Sequence, residues 1–499
     1  MTNRLFRLQE KGVWHLPFGM DADALIGEYE VAGQGQVFRF FSELAGAEQA
    51  ALLEQAVGID LGEVARLSCD WQDGGIGDED YSSLQPAPYK LHPSSGGDAS
   101  QWAFASQIGG AALRAGRVAA FTVAGGQGTR LGYDGPKGTF PATPVKQKPL
   151  FQLFAEKIRA TGERFGQCID WLIMTSAQND ADTQAFFESN DYFGLESEQV
   201  HFFMQGLMPA VDDSGKILMA GKGLIAMSPD GHGGSLRALV RSGHVKRLQA
   251  KGVDTISYFQ VDNPLVYCID PVFIGFHLQE RAEISSKMVP KAYAGEKVGH
   301  FCLRADGRQV VTEYSDLPQE LQEKRDPETG DLYFLAGSIA IHVLDLEFVA
   351  RVGGVEASVL TLPFHFAHKK VPCIDAEGKP VQLTEPNGIK FEMFIFDSLL
   401  LAERSLIVET RREDEFSPIK NAIGQDSAES SKRDQSAQAL RWLAAAGETV
   451  RGIKTVETSP LFAQTETEFV KQWQSLNPKP DLMDGMYLSE NVKNLKETS

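Results

Sequence analysis

Residues 121–140 read FTVAGGQGTRLGYDGPKGTF, an apolar run that breaks into glycine and is followed at once by Arg130 and Lys137. The continuous β-rich stretch VAAFTVA (118–124) predicts a buried strand. A strand ending in glycine exposes backbone N–H groups at the edge of its sheet, and glycine lets that backbone approach a phosphate or a flat base with no side chain between. The other reading is a tight turn with no ligand. Arg130 and Lys137 argue for the ligand, because they add fixed positive charge a few residues from those N–H groups, and Pro136 holds the backbone before the lysine. Gly125, Gly126, Gly128 and Gly132 do not spell G-x-G-x-x-G, since position 131 is Leu, and no G-x-x-x-x-G-K-[ST] occurs, so neither the dinucleotide fingerprint nor the Walker loop applies.

Beyond the loop, short β-rich runs alternate with amphipathic helical ones: a helix at 150–160, WLIMTS (171–176), a helix at 181–189, a helical stretch over 234–252, and TISYFQVDN (255–263). Such alternation predicts an α/β fold with a Rossmann-like, doubly wound sheet. Asp262 ends the last of these runs, where strand carboxyl ends in open α/β sheets meet ligands. HFCLRADGRQVVTEYSD (300–316) predicts a hairpin around Asp306-Gly307, an antiparallel insertion that makes the sheet mixed. Upstream, residues 22–70 repeat apolar positions at helical spacing, and the Pro/Ser/Gly-rich 82–97 predicts a linker. Downstream, the polar 424–438 predicts a mobile surface loop ahead of a helix at 439–447. The expected division is a helical N-terminal region (1–98), a central domain (99–400) and a small C-terminal domain (401–499).

At 499 residues and 42% hydrophobic, the chain is long enough for two or three domains with substantial cores. Forty-eight basic against 67 acidic residues give a net charge of -19, which repels nucleic acid and anionic membrane, so any phosphate must be held by a local cationic cluster. Five scattered cysteines with no C-x-x-C pair exclude a disulfide framework and a zinc site and suit a reducing cytoplasm. The charged start MTNRLFRLQEKGV lacks the apolar core of a signal peptide, and no apolar run approaches the roughly 20 residues a membrane span needs, so a cytoplasmic protein is expected.

The pattern AGGQGTRLGxxxPKG resembles the signature of the UDP-sugar pyrophosphorylases, and most closely their UDP-N-acetylhexosamine branch. WLIMTS (171–176), FFMQGLMPAV (202–211), MSPDGHGG (227–234), FQVDNPLV (259–266), VTEYSD (311–316), EPNGIKFEMFIFD (385–397) and REDEFSPIKNA (412–422) are similar, in order, to the remaining blocks of that family. The resemblance implies that a sugar 1-phosphate attacks the α-phosphorus of UTP, giving a UDP-sugar and pyrophosphate. A phosphate monoester is already largely ionised near neutral pH, with a second pKa of about 6, so the chemistry needs positioned cations rather than a general base.

Arg130 and Lys137 are then the candidates for the triphosphate, with Lys390, taken to sit at the bend after Pro-Asn-Gly, as a third phosphate-contacting cation. Asp262 is the candidate Mg²⁺ ligand, since a hard cation takes a carboxylate facing phosphate oxygens; its other reading is the cap of an Asp-Asn-Pro turn. By resemblance, Ala124, Gly125, Gly126, Gly128 and Thr129 cradle the nucleotide, Gln205 and Gly231 read uracil, and His232, Gly299, Glu313, Ser338 and Asn387 face the sugar. Standing alone, Lys390 reads as a solvated lysine, Gln205 as unremarkable, Glu313 as an exposed hairpin charge and Asn387 as a turn former. The hexosamine branch carries asparagine in its PDGNGG loop where His232 stands, as in the glucose branch, and Leu335, Ser338 and Ile341 occupy the positions of three further asparagines. The first expectation is therefore N-acetylglucosamine 1-phosphate, with glucose 1-phosphate second. A glycosyltransferase is disfavoured because QVDN (260–263) stands at the strand end where such enzymes usually carry a metal-binding D-x-D, a non-catalytic UDP-sugar binder by the retained cations, and an NAD-dependent dehydrogenase by Leu131.

Overall fold

Val118–Val123 forms a strand with five of its six residues buried, and it is the axis of the architecture. The structure, a computed structural model, describes residues 21–74, 81–354 and 361–490. They form two compact units by contact: one gathers Met1–Asp80, Gly206–Gly234 and Leu362–Ile395, and the other Tyr81–Gln205, Ser235–Thr361 and Phe396–Ser499.

The second unit holds a ten-stranded sheet. Its strands, in chain order, are β1 (Gln85–Pro86), β2 (Val118–Val123), β3 (Trp171–Thr175), β4 (Val200–Met204), β5 (Thr255–Gln260), β6 (Ile284–Pro290), β7 (Gly299–Leu303), β8 (Gln309–Thr312), β9 (Ala336–Asp345) and β10 (Ser405–Glu409). The order β5-β2-β3-β4 is parallel throughout. β9 pairs antiparallel to β5, β7 and β6, β6 is parallel to β10, and β7 pairs antiparallel with both β8 and β1, which lie on opposite edges of it. The fold is α/β with a mixed central sheet. Helices Leu150–Phe165 and Ala99–Arg114 pack with it through a core that includes Phe151, Phe154, Trp171, Phe187 and Phe259, all at or near zero exposure, and burial of such side chains contributes roughly 1.5–3 kcal/mol each.

β9 is interrupted. Ser286 pairs with His342 but Met288 pairs with Ser338, so β9 contributes two extra residues, and Ala340 takes φ 54° within the bulge. The hairpin forms as expected: β7 and β8 pair around Asp306-Gly307, with Gly307 at φ 83°.

Three local expectations are corrected. The stretch 82–97 is not merely a linker, because Gln85–Pro86 pairs with β7 and Leu84 and Ala87 are buried. The helical run 234–252 is two helices, Gly234–Arg241 and His244–Ala250, split at Gly243 with φ 80°. The expected loop 424–438 belongs largely to an 18-residue helix, Ala428–Ala445, capped by Ser427, which accepts from the N–H of Ser430. The inward face of that helix begins with serines: Ser431 and Ser436 are buried, and Ser431 Oγ donates to the Ser417 carbonyl at 2.8 Å. Hydrogen-bonded hydroxyls replace the apolar stripe that sequence periodicity detects.

Toward the end of the chain, Trp442, Leu443, Val456, Phe462, Phe469, Trp473 and Leu488 form a separate buried cluster. All five cysteines are free thiols, and among the described residues no helix is long and apolar enough to cross a membrane.

Candidate active site

The four parallel strands end together, and each delivers a candidate residue or its support at its carboxyl end. After β2, Ala124 makes the last ladder bond, to Met174 O at 2.8 Å, and the glycine loop begins. It closes on itself through Gly128 N to Gly135 O at 3.0 Å and Lys137 N to Gly126 O at 3.1 Å. Gly125 lies close to its neighbours: a Cβ there would lie 3.1 Å from Gln205 Oε1 and 3.5 Å from Ser176 Cβ. The loop does not run straight into an α-helix. Two 3₁₀ turns, Thr129–Leu131 and Lys137–Thr139, follow instead, and the next α-helix starts at Leu150. The available donors are the loop's own N–H groups, and those of Gly125, Gly126 and Gln127 have no acceptor among the described residues.

Thr129 and Arg130 are exposed, and Arg130 makes no ion pair among the described residues. Lys137 points back, its Nζ 3.4 Å from Asp262 Oδ2, with side chains 16% and 14% exposed. Asp262 lies two residues beyond β5, and its carbonyl accepts from Ile419 N at 2.7 Å. Gln205 follows β4 directly, its N–H bonded to Thr175 O at 2.8 Å. The structure thus brings Ala124–Gly128, Gln205, Lys137 and Asp262 to one end of one sheet. That arrangement pairs N–H donors and a cation with a carboxylate able to hold a metal on a bound polyphosphate.

Farther along the same sheet, Gly299 opens β7 directly opposite Ser338 on β9. A Cβ at Gly299 would meet Val311 Cγ1 at 2.5 Å and Glu313 Oε1 at 3.9 Å, so Glu313, one residue past β8, stands beside them. These three candidates form a second cluster within the same unit.

The remaining candidates lie in the other compact unit. Gly231 has φ 80°, and a Cβ there would sit 2.3 Å from Met393 O. The loop is stitched to that segment by Met393 N to Asp230 O and Gly233 N to Met393 O, both 2.8 Å. His232 Nδ1 accepts from Ile395 N–H at 3.1 Å, and its ring lies 5.3 Å from that of Phe394. Burial and the neighbouring His365 push the imidazole down to about 4, so it is neutral at pH 7 and Nε2 carries the proton.

Lys390 is not at a bend: it occupies the strand Gly388–Glu392, opposite Ala367 of His365–Lys369. Long-range pairing decides this, since Ile389 also exchanges both backbone bonds with Val211. The Asn387 amide is engaged with the backbone of Val371, accepting from its N–H at 2.7 Å and donating to its carbonyl at 3.0 Å.

The sequence reading assigned no role to Phe394 and His365, whose rings meet at a tilt 4.5 Å apart beside His232, although the aromatic spacing of FEMFIFD was visible. It also passed over Lys420, whose preceding residue Ile419 holds the Asp262 carbonyl.

The family model described as UTP–glucose-1-phosphate uridylyltransferase matches residues 106–437. UDP-N-acetylhexosamine pyrophosphorylase-like protein 1 of Xenopus tropicalis is 38% identical over 436 residues, 84% of each chain. UDP-N-acetylglucosamine pyrophosphorylase of Saccharomyces cerevisiae is 35% identical over 86% of this chain and 92% of its own. Among solved structures, the uridine diphosphate N-acetylglucosamine pyrophosphorylase of Trypanosoma brucei superposes with a TM-score of 0.79 at 29% identity, over 95% of this chain and all of that one. A family match across two thirds of the residues, with relatives aligned over most of their own length, means that this chain belongs to the UTP–glucose-1-phosphate uridylyltransferase family.

Proposed function

We propose that this uridylyltransferase makes UDP-N-acetylglucosamine and pyrophosphate from UTP and N-acetylglucosamine 1-phosphate. The observation that carries the reading is the Lys137–Asp262 pair at the mouth of the glycine loop, in a chain 35% identical to a relative named for N-acetylglucosamine. A phosphate oxygen of the sugar 1-phosphate attacks the α-phosphorus of UTP, the bond from that phosphorus to the bridging oxygen of the β-phosphate breaks, and pyrophosphate leaves with the electron pair. No proton transfer is needed at neutral pH; catalysis is positioning and charge neutralisation.

In this reading, Ala124, Gly125, Gly126, Gly128 and Thr129 hold the nucleotide through backbone donors, and Arg130, Lys137 and Lys390 neutralise phosphate. Gln205 and Gly231 serve uracil, while His232, Gly299, Glu313 and Ser338 face the sugar. We assign Asn387 to the support of the Lys390 strand as well, since its amide is bonded to Val371. Asp262 suits Mg²⁺: no group of three His, Cys, Asp or Glu is found among the described residues, and a lone carboxylate fits an octahedral ion whose other ligands are waters and phosphate oxygens. Mg²⁺, when bound, supplies a second centre of positive charge on the phosphates. The Rossmann-like class, the small C-terminal domain and a cytoplasmic setting complete the proposal, supported by the four parallel strands, the separate cluster around Trp442 and Trp473, and the five free thiols.

His232 and Ser338 favour glucose 1-phosphate as the second reading. Pyrophosphate release from UTP and Mg²⁺ with N-acetylglucosamine, N-acetylgalactosamine, glucose or galactose 1-phosphate, each alone, tests both. Release with N-acetylglucosamine 1-phosphate is expected; release only with glucose or galactose 1-phosphate moves the assignment to the second reading, and release with none overturns the proposal.

A further inference from the structure

Asn179 stands at the N-cap of helix Asp180–Ser189, yet its side chain makes no cap hydrogen bond there. An asparagine in this position ordinarily accepts from the N–H groups of its own first turn. Here the amide, fully buried, reaches the glycine loop: Nδ2 donates to Ala124 O at 3.0 Å and to Gly126 O at 3.3 Å, while Oδ1 accepts from Ser176 N–H at 2.8 Å. The partners fix which end is which, because Ser176 N–H needs an acceptor and the two carbonyls need a donor.

We propose that Asn179 is a positioning residue that aims the phosphate-binding donors of the loop; the inference rests on the reading of that loop as a nucleotide cradle. In a trans peptide the C=O of one residue and the N–H of the next point in opposite directions. Drawing Ala124 C=O inward turns Gly125 N–H outward, and drawing Gly126 C=O inward does the same for Gln127 N–H. Those are two of the three donors left without a protein acceptor. Lys137 N–H holds the Gly126 carbonyl from its other side, so Asn179 and the Lys137 turn grip one peptide together. The loop is rich in glycine and has no helix behind it, so its peptide planes are otherwise free to rotate.

Asn179→Asp keeps the size and the acceptor for Ser176 but sets a carboxylate against two carbonyl oxygens. The test measures the affinities of UTP and of uridine, by calorimetry without the sugar substrate, for the full-length protein and the variant. Wild type is expected to bind UTP far more tightly than uridine, and the variant to lose about tenfold or more of its UTP affinity, since an N–H bonded to a charged group is stronger than one between neutral partners, while uridine affinity stays unchanged. A variant that keeps the full preference for UTP overturns the inference and leaves the cradle standing. If the wild type shows no preference for UTP, the cradle itself falls. Asn179→Leu, similar in size and without hydrogen-bonding groups, guards against misfolding of the charged variant: it too should lose UTP affinity alone, and equal losses for UTP and uridine would assign Asn179 a merely structural role.

Discussion

Replacing Lys137 with Met removes one charge and little volume. Its Nζ lies 3.4 Å from Asp262 Oδ2, where Coulomb attraction at an effective dielectric near 20 is about 5 kcal/mol before the cost of desolvating both groups. Both side chains still touch solvent, so the net loss of folding stability is about 1 kcal/mol or less. In the proposed reaction the effect on turnover is larger, because the ammonium would stand beside the phosphates as charge shifts toward the leaving pyrophosphate. One such preorganised group is typically worth about 10²–10³ in kcat, or roughly 2.7–4 kcal/mol. Pyrophosphate release at saturating UTP and sugar 1-phosphate should therefore fall by about two to three orders of magnitude. Uridine affinity and the urea midpoint should barely move. Lys137→Arg keeps the charge and should recover part of the rate. A Met variant within about threefold of wild type, or one whose lost rate is matched by lost uridine affinity, would refute the electrostatic role of Lys137.

Gly231→Ala forces φ 80° on a residue with a Cβ 2.3 Å from Met393 O; thermal unfolding should show a loss of at least 1–3 kcal/mol by order of magnitude, together with weaker uridine binding, and an unchanged melting point would contradict the strained geometry. His277 and His300 are buried and held by desolvation at about 3 and about 4, below 6.5, so the unfolded chain binds protons that the folded one refuses; stability should drop as pH falls from about 6.5 toward 4, by on the order of 1–2 kcal/mol per histidine at pH 5. Urea midpoints at pH 7.5 and pH 5 measure this, and equal midpoints would speak against buried neutral imidazoles. Ser427→Ala removes the cap of Ala428–Ala445 and should cost about 0.5–2 kcal/mol by denaturation, with kcat unaffected. Ser338→Asn lengthens a polar side chain beside Gly299 and Glu313 and should change the KM for the sugar 1-phosphate while that for UTP holds; the reverse pattern would remove Ser338 from the sugar half.

The positions of the residues proposed for the nucleotide were legible because they follow directly on strands. VAAFTVA and TISYFQ declare themselves by apolar β-rich runs, so Gly125 and Asp262 are placed by counting past the last strand residue. Lys390 was misjudged because its surroundings are set by pairing with 365–369 and with Val211, neither adjacent in sequence. The first half of helix Ala428–Ala445 was hidden because Ser431 and Ser436 bury hydroxyls rather than methyl groups, and the composition of 424–438 resembles that of a solvated loop. Asn179 gave no signal at all: nothing in SAQND distinguishes an amide that caps its own helix from one that reaches a loop more than fifty residues earlier.

The bulge in β9 divides that strand into two parts with separate obligations. Residues 342–345 pair with β5 and anchor the floor of the sheet, while Ser338 pairs with Gly299 on the far side of the irregularity. A side chain exchanged at 338 therefore leaves the alternation of the anchored part undisturbed, since the register there is set independently. On the proposed assignment of Ser338 to the sugar, substrate preference is open to inheritance one substitution at a time: a lineage could turn from one sugar to another at 338 without first relearning how to pair its central strands.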